Sequence, residues 1–253
     1  MSLELKVENV VLHIESSINK LKHFIINLTT SGESHDLKRA SLLSYWIDTY
    51  AEYMKREKTF DYEKLPRYRR GDVLKINFGY RVGNELGGLH YAIVLDNNNS
   101  KKSGIITVVP LVSQKEGFTN SHYRQTLNNG LYQLANEKIN RETEKNRMFL
   151  FKEVKKVQAI SVSDNKDTVY EEIGEKMLKY QKTQDSINTW KKDIEQLKTG
   201  SVVDFGQIIT ISKQRIYEPT KTSDLLYHIR ISNDDMDMIN RKLSLGYLKQ
   251  TTK

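Results

Sequence analysis

Apolar residues near the start of the chain recur with alternating spacings of four and three, the seam of a heptad pattern. Between Leu5 and Leu28 these positions are Val7, Val11, Ile14, Ile18, Leu21, Ile25 and Leu28. Gly32 interrupts the pattern, and Ser34 or Asp36 is the expected cap of a second helix. One side of that helix carries Leu43, Trp46, Ile47, Tyr50 and Met54. The pattern predicts an antiparallel helical hairpin that packs on the main domain or on a second copy of the chain.

The hydrophobic period changes to two after Gly71, which is typical of β-strands. The segments "DVLKINF", "HYAIVLD" and "GIITVVPLVS" are predicted strands, and "NNNSKKSG" is a polar turn between the last two. Their continuous apolar runs indicate strands that are buried on both sides or curled into a barrel. A fourth strand is expected at "HYRQTL".

The segment from about residue 130 to residue 198 is rich in Lys and Glu and is predicted to be mostly helical, with a more strand-like "KVQAISVS" inside it. Strand character returns at "SVVDFGQIITIS", and "SNDDMDMINRKLSLGYL" predicts a closing helix capped by Ser232 or Asn233. Since strands lie on both sides of the helical block, we interpret the block as an insertion. The predicted organisation is a helical extension over residues 1–65 and a barrel domain over residues 66–253, interrupted at about 130–198.

The composition restricts the class of protein. The net charge of +8 and the pI near 9.3 favour polyanionic partners, namely RNA, DNA or an acidic protein. With no cysteine, the chain has neither disulfides nor thiolate metal sites, which suits a reducing cytosol. No stretch has the pattern of a membrane span or a secretory signal, so we expect a cytoplasmic protein. The metalloprotease, P-loop and nucleophile-elbow motifs are absent, and we expect neither a metal nor a cofactor.

One loop has a pattern that suggests chemistry. "GNELGGLHYAIVL" places three glycines and Glu85 directly before a predicted strand, with His90 at its entrance. Glycines allow a tight turn and the close approach of a ligand to the backbone. No helix follows, so the spacing is not that of a dinucleotide-binding or phosphate-binding loop. On its own the loop only suggests a site.

The order of segments resembles the MazF/PemK family of toxin endoribonucleases. "RGDV" opens the first strand, "GNELGG" leads into the second, and "VVPLVSQ" ends the third. The residues that match the family pattern are Gly71, Asp72, Gly83, Glu85, Gly88, Pro110 and Ser113, followed by "QIITISKQR" from Gln207 to Arg215 and by "LSLGYL" in the closing helix. The resemblance covers about residues 67–128 and 199–250.

The resemblance implies an α+β fold, namely an SH3-like β-barrel of the MazF/PemK type, here with an N-terminal helical hairpin and a helical insertion. It also implies a homodimer, an acidic antitoxin partner, and metal-independent, sequence-selective cleavage of single-stranded RNA. In that reaction the ribose 2′-OH attacks the adjacent phosphate and leaves 2′,3′-cyclic phosphate and 5′-OH ends. The protein supplies a proton acceptor, a proton donor, and donors or cations around the phosphate.

The chain departs from the family pattern at three positions. His90 stands where the family commonly has Arg, Tyr91 stands where it has Pro, and Gly206 replaces an acidic residue. A histidine, with a reference pKa near 6.5, exchanges protons at neutral pH. The predicted catalytic residues are therefore His90, as acid or base, and Ser113, which matches the family's catalytic Thr or Ser.

The predicted RNA-binding residues come from the same resemblance. They are Glu85, Gly87, Gly88, Tyr91, Lys115 and Gln207. Asp204 or Glu85 is the candidate for the missing acid, and His122 is the main competitor of His90. Two other functions stay open, namely a toxin on the same fold that inhibits a protein target such as DNA gyrase, as the related CcdB toxins do, and a plain RNA-binding module.

Overall fold

The protein was analysed as a computed structural model, which describes residues 6–128, 130–159, 166–197 and 200–248. By internal contacts the chain divides into two compact units. The first unit comprises Met1–Phe60 and Phe78–Gly88, and the second comprises Asp61–Asn77 and Leu89–Lys253. The glycine-containing loop before the second strand belongs with the N-terminal helices in this division, and the predicted domain organisation stays a prediction.

The first unit consists of two helices and this loop. Helix α1 spans Val7–Thr30 and helix α2 spans Ser34–Arg56, close to the helices that the heptad spacing predicts. The predicted cap of α2 was wrong, since Glu33 occupies that position and no side chain caps the helix. Among its described residues α1 buries no side chain, whereas α2 buries Ala40 and Leu43.

The second unit contains the sheet and three helices. Its strands are β1 (Val73–Asn77), β2 (Leu89–Val94), β3 (Ile105–Ser113), β4 (Arg124–Thr126), β5 (Ser201–Asp204), β6 (Ile209–Ser212) and β7 (Ile216–Glu218). Its helices are α3 (Leu131–Gln158), α4 (Lys166–Ile194) and α5 (Asn233–Tyr247). The Ser232 hydroxyl caps α5 by accepting a hydrogen bond from the Asp235 N–H, as one of the two predicted caps requires.

The sheet is antiparallel and open. The strand order is β4-β5-β3-β2-β1-β7, and β6 pairs with the first half of β3. Among the described strands no pairing joins β4 to β7, so the sheet does not close on itself, and the SH3-like barrel stays a prediction. The strand at each end of this order is only three residues long. The coarser prediction of an α+β fold is confirmed.

Apolar side chains fill both faces of the central strands, as their continuous apolar runs predict. On one face Val73, Ile93 and Val109 pack with residues of α3, α4 and α5 in one core cluster. On the other face, alternate residues such as Leu74 and Ala92 are also fully buried. The prediction of strand character for "KVQAISVS" was wrong for its first residues, because α3 continues to Gln158. Residues 160–163 of this segment lie outside the described part of the chain.

Candidate functional site

A pocket of about 290 Å³ lies at one end of the central strands, where β2 begins and where β3 and β1 end. Both His90 and Ser113 line it, together with Lys75, Tyr91 and Ser201. Antiparallel pairing explains why distant residues meet here, because the first residues of β2 lie beside the last residues of β1 and β3. The predicted catalytic pair is thus brought to one pocket.

His90 and Ser113 belong to opposite faces of the sheet. Tyr91 pairs with Leu111 and with Lys75, and Ser113 pairs with Ser201, so these side chains share the face that carries the main core. His90 pairs with Ile76, and the register that joins Tyr91 to Leu111 brings Val112 opposite His90. The nearest cross-strand neighbour of His90 on β3 therefore has no hydroxyl. A ligand at the rim can meet the imidazole from one side and the Ser113 hydroxyl from the other.

Lys75 is a pocket residue that the sequence reasoning did not select. Its Nζ lies 5.5 Å from the ring centroid of Tyr91 and 5.5 Å from that of Tyr217. Cations beside aromatic faces are common where proteins hold phosphate and base together. The signal was present in "DVLKINF", since Lys75 occupies a core-facing position between Val73 and Asn77.

Glu218 accompanies this cation on the neighbouring strand. It pairs with Lys75 across β1 and β7, and its Oε1 accepts a hydrogen bond from the Leu226 N–H at 3.1 Å. Burial raises the pKa of the Glu218 carboxyl above its usual range, while the charge of Lys75 opposes that shift. Glu218 thus lies next to Lys75 in the sheet, outside the pocket lining.

Several predicted residues lie outside the pocket lining. Lys115 is exposed beyond the end of β3, and Gln207 lies in a short 3₁₀ turn between β5 and β6. The His122 ring packs edge-on against Tyr123 at 4.7 Å. Asp204, a candidate for the missing acid, forms an ion pair with Arg124 at 2.8 Å and is buried. None of these side chains lines the pocket that contains His90.

The loop Phe78–Gly88 has its own hydrogen-bonded structure in the first unit. The Phe78 N–H donates to the Gly88 carbonyl and the Gly88 N–H donates to the Gly79 carbonyl, both at 2.8 Å. Gly88 has φ of 87°, and a Cβ at Gly87 would lie 2.7 Å from the Gly79 oxygen. Both glycines are therefore required by the turn itself. Glu85 is exposed, with its carboxylate 3.9 Å from the Arg81 guanidinium.

Within the described residues, no three His, Asp or Glu side chains are grouped so that they could hold a metal ion. None of the helices in the described ranges has the length and apolar character needed to cross a membrane.

Fold and pocket together define an α+β protein whose antiparallel sheet presents a lysine, a histidine and hydroxyl groups at one end of its central strands. Residues 69–175 match the family model of the PemK-like, MazF-like toxins of type II toxin–antitoxin systems. The resemblance inferred from the sequence motifs is confirmed over this segment, which is similar to this toxin family. No curated protein matches the chain significantly.

The family match includes β1 to β4, all of α3 and the first part of α4. It therefore contains the pocket residues of β1, β2 and β3. It ends before β5, so the resemblance assigned to Gln207–Arg215 and to the closing helix stays a prediction. The extent of the helical insertion likewise stays a prediction.

Proposed function

We propose that the chain is a toxin-type endoribonuclease that cleaves single-stranded RNA without a metal ion. The observation that carries the proposal is the pocket at the end of the central strands, where His90, Ser113 and Lys75 lie together inside the segment that matches the toxin family. A histidine, a hydroxyl and a cation are the groups that cleavage by an internal 2′-OH requires.

The proposed reaction is an in-line transfer within the RNA. The 2′ oxygen loses its proton and forms a bond to phosphorus, while the bond from phosphorus to the 5′ oxygen breaks and that oxygen gains a proton. His90 exchanges one of these protons, and solvent water exchanges the other. Lys75 compensates the charge that builds on the phosphate, and Ser113 donates a hydrogen bond to a phosphate oxygen. The products are a 2′,3′-cyclic phosphate and a 5′-OH.

Binding of the RNA is assigned to residues around the same pocket. The Tyr91 ring, held beside Lys75, is suited to stack on a base. Glu85, Gly87, Gly88, Lys115 and Gln207 stay predictions as RNA-binding residues. We further propose an acidic antitoxin as partner, since the family is that of type II systems and the chain is basic. We also propose a homodimer and action on cytoplasmic RNA.

The test is cleavage of a long unstructured RNA in the presence of EDTA, with analysis of the new ends. We expect discrete fragments with 5′-OH ends. His90→Ala should lower the rate by about 10²-fold, the usual contribution of an acid–base group. Lys75→Met and Ser113→Ala should each lower it by roughly tenfold or more. His122→Ala and Lys101→Met, which replace residues outside the pocket, should cleave like the unmodified protein.

The same variants separate the alternative functions. Intact RNA from folded protein, with growth arrest retained in His90→Ala and Ser113→Ala, would identify an inhibitor of a protein target such as DNA gyrase. RNA binding without cleavage or toxicity would identify an RNA-binding module. A cleavage rate that stays flat between about pH 5 and 8 would remove the proton-exchange role of His90.

A further inference from the structure

A second depression of the second unit shares no lining residue with the His90 pocket. It measures about 630 Å³ and lies between α3, α4 and the segment that follows β7. Helix α3 contributes Lys138, Arg141 and Lys145, and the segment after β7 contributes Tyr227 and His228. A smaller pocket of about 310 Å³ shares Tyr227 and His228 and is otherwise lined by Arg67, Arg69, Asp72 and Arg230. The two pockets meet at these two rings, and we call them together the Tyr227–His228 groove.

The cations of the groove differ in their availability. Lys138 is engaged with the protein, since its Nζ donates to three backbone carbonyls. Lys145 pairs with Glu142 at 2.7 Å, and Arg230 pairs with Asp72 at 2.7 Å. By contrast, Arg69 and Arg141 are exposed, and neither forms an ion pair with any described residue. One uncompensated guanidinium therefore lies on each side of the Tyr227 and His228 rings.

The histidine between these arginines, His228, has an unusual backbone conformation. His228 has φ of 62° and is the sole non-glycine residue with positive φ in the described part of the chain. Left-handed backbone costs a non-glycine residue on the order of 1 kcal/mol. The ring is stacked on Tyr227, with centroids 3.9 Å apart and planes inclined by 25°. His228 is exposed and lines both pockets, so its ring is accessible to a ligand in the groove.

We propose that the Tyr227–His228 groove is a second binding surface for single-stranded RNA, separate from the cleavage pocket. A base extends the ring stack on His228, and the phosphates on either side of it contact Arg69 and Arg141. Bases stack on aromatic rings without regard to sequence, and guanidinium groups bind phosphate in a forked geometry. Hydroxyl groups of Thr222 and Ser223 line the same wall and suit ribose or phosphate. A stacked ring pair between two free arginines fits a nucleotide chain better than an acidic peptide, which has no base to stack. The choice of RNA rests on the proposed function, whereas the binding itself does not require cleavage.

The test uses the full chain and a short single-stranded RNA in which every 2′-OH is methylated, so that it cannot be cleaved by its own 2′ oxygen. Binding is measured by fluorescence anisotropy at several salt concentrations. Arg69→Glu and Arg141→Glu should each weaken binding by about fivefold or more and should lower the salt dependence. His228→Asn, which tolerates the left-handed backbone but removes the ring, should weaken binding by roughly fivefold or more. Lys152→Glu is the control. It reverses one positive charge on α3, as Arg141→Glu does, but Lys152 lies outside the groove.

Three outcomes decide the proposal. Selective loss of binding in the groove variants, with Lys152→Glu unchanged and circular dichroism spectra preserved, supports it. Equal binding by all variants overturns it, and so does binding of an acidic polypeptide in the groove in place of RNA. Cleavage of unmethylated RNA is measured separately on the unmodified protein. Failure of the proposed function, in which no cleavage is seen, is thereby distinguished from failure of this proposal, in which the groove variants bind the methylated RNA like the unmodified protein.

Discussion

At the residue scale, whether two side chains can meet in the pocket depends on the face of the sheet that each occupies as well as on its position along the chain. The order of motifs pointed to His90 and Ser113, and both line one pocket. Which face each side chain occupies depends on the register between strands, because a shift of one residue reverses it. The register brings Val112, not Ser113, opposite His90. A sequence without known pairing cannot provide that information.

The buried carboxyl of Glu218 gives a prediction about pH and stability. Its pKa is raised in the folded protein, chiefly by burial, so folding favours its protonated form. Its contribution to stability is therefore fully present below the pKa of an unfolded glutamate, near 4.3, and is lost as pH rises through the folded pKa. Glu218→Gln, whose Oε1 can still accept the bond from Leu226, should raise the melting temperature at pH 7 by about 2 °C and leave it nearly unchanged at pH 4.

Thermal unfolding monitored by circular dichroism at both pH values checks this prediction. Glu116→Gln, an exposed glutamate in the turn after β3, is the control and should have no effect at either pH. An equal shift of Glu218→Gln at pH 4 and pH 7 would contradict the assignment, because the protonation state would then be irrelevant.

At the element scale, the strands were more predictable than their boundaries. A period of two located β1, β2 and β3, and the buried pattern of both faces follows from their apolar runs. The segment "SVVDFGQIITIS", for which strand character is predicted, is divided by a 3₁₀ turn at Phe205–Gln207 into β5 and β6, which pair with different halves of β3. Apolar periodicity does not show such a division, because both halves keep buried residues.

Helix α3 holds the segment after β7 through one half-buried lysine. The Nζ of Lys138 donates to the carbonyls of Asp224, Leu225 and Tyr227 at 3.0, 2.8 and 2.6 Å. Burial lowers the pKa of this ammonium group. A lysine within "LYQLANEKINRETEK" reads as a solvated residue of a charged helix, so the sequence did not indicate that it joins two elements.

Lys138→Met should destabilise the protein, because methionine fills the space of the side chain but donates to none of the three carbonyls. Leaving buried carbonyls without a donor costs about 1–3 kcal/mol in the free energy of unfolding. Urea denaturation should show a lower midpoint with an unchanged slope. Lys145→Met on the same helix removes only a surface ion pair and should cost less than about 1 kcal/mol. Equal midpoints for the two variants would show that the three hydrogen bonds do not secure the segment.

At the scale of the whole molecule, the prediction of a homodimer stays open, and α1 offers a surface for it. The apolar seam of this helix is exposed over its first half, with Val7 at 78%, Ile14 at 48% and Ile18 at 60% of full exposure. Large apolar stripes on a helix are seldom left in water. The β-branched residues Val11, Ile18 and Ile25 fall at one seam position of the heptad. Such a pattern favours a parallel coiled coil of two helices.

We therefore expect two copies of the chain to associate through α1. Ile14→Asp combined with Ile18→Asp places charges in the seam and should weaken the dimer at least about tenfold, since buried charges without partners are costly. Sedimentation velocity over a range of protein concentrations measures this change. Ser16→Asp adds a charge on the outer side of the same helix and should leave association unchanged. A chain that is monomeric before substitution would contradict the prediction, and a dimer that survives the double substitution would assign the interface to another surface.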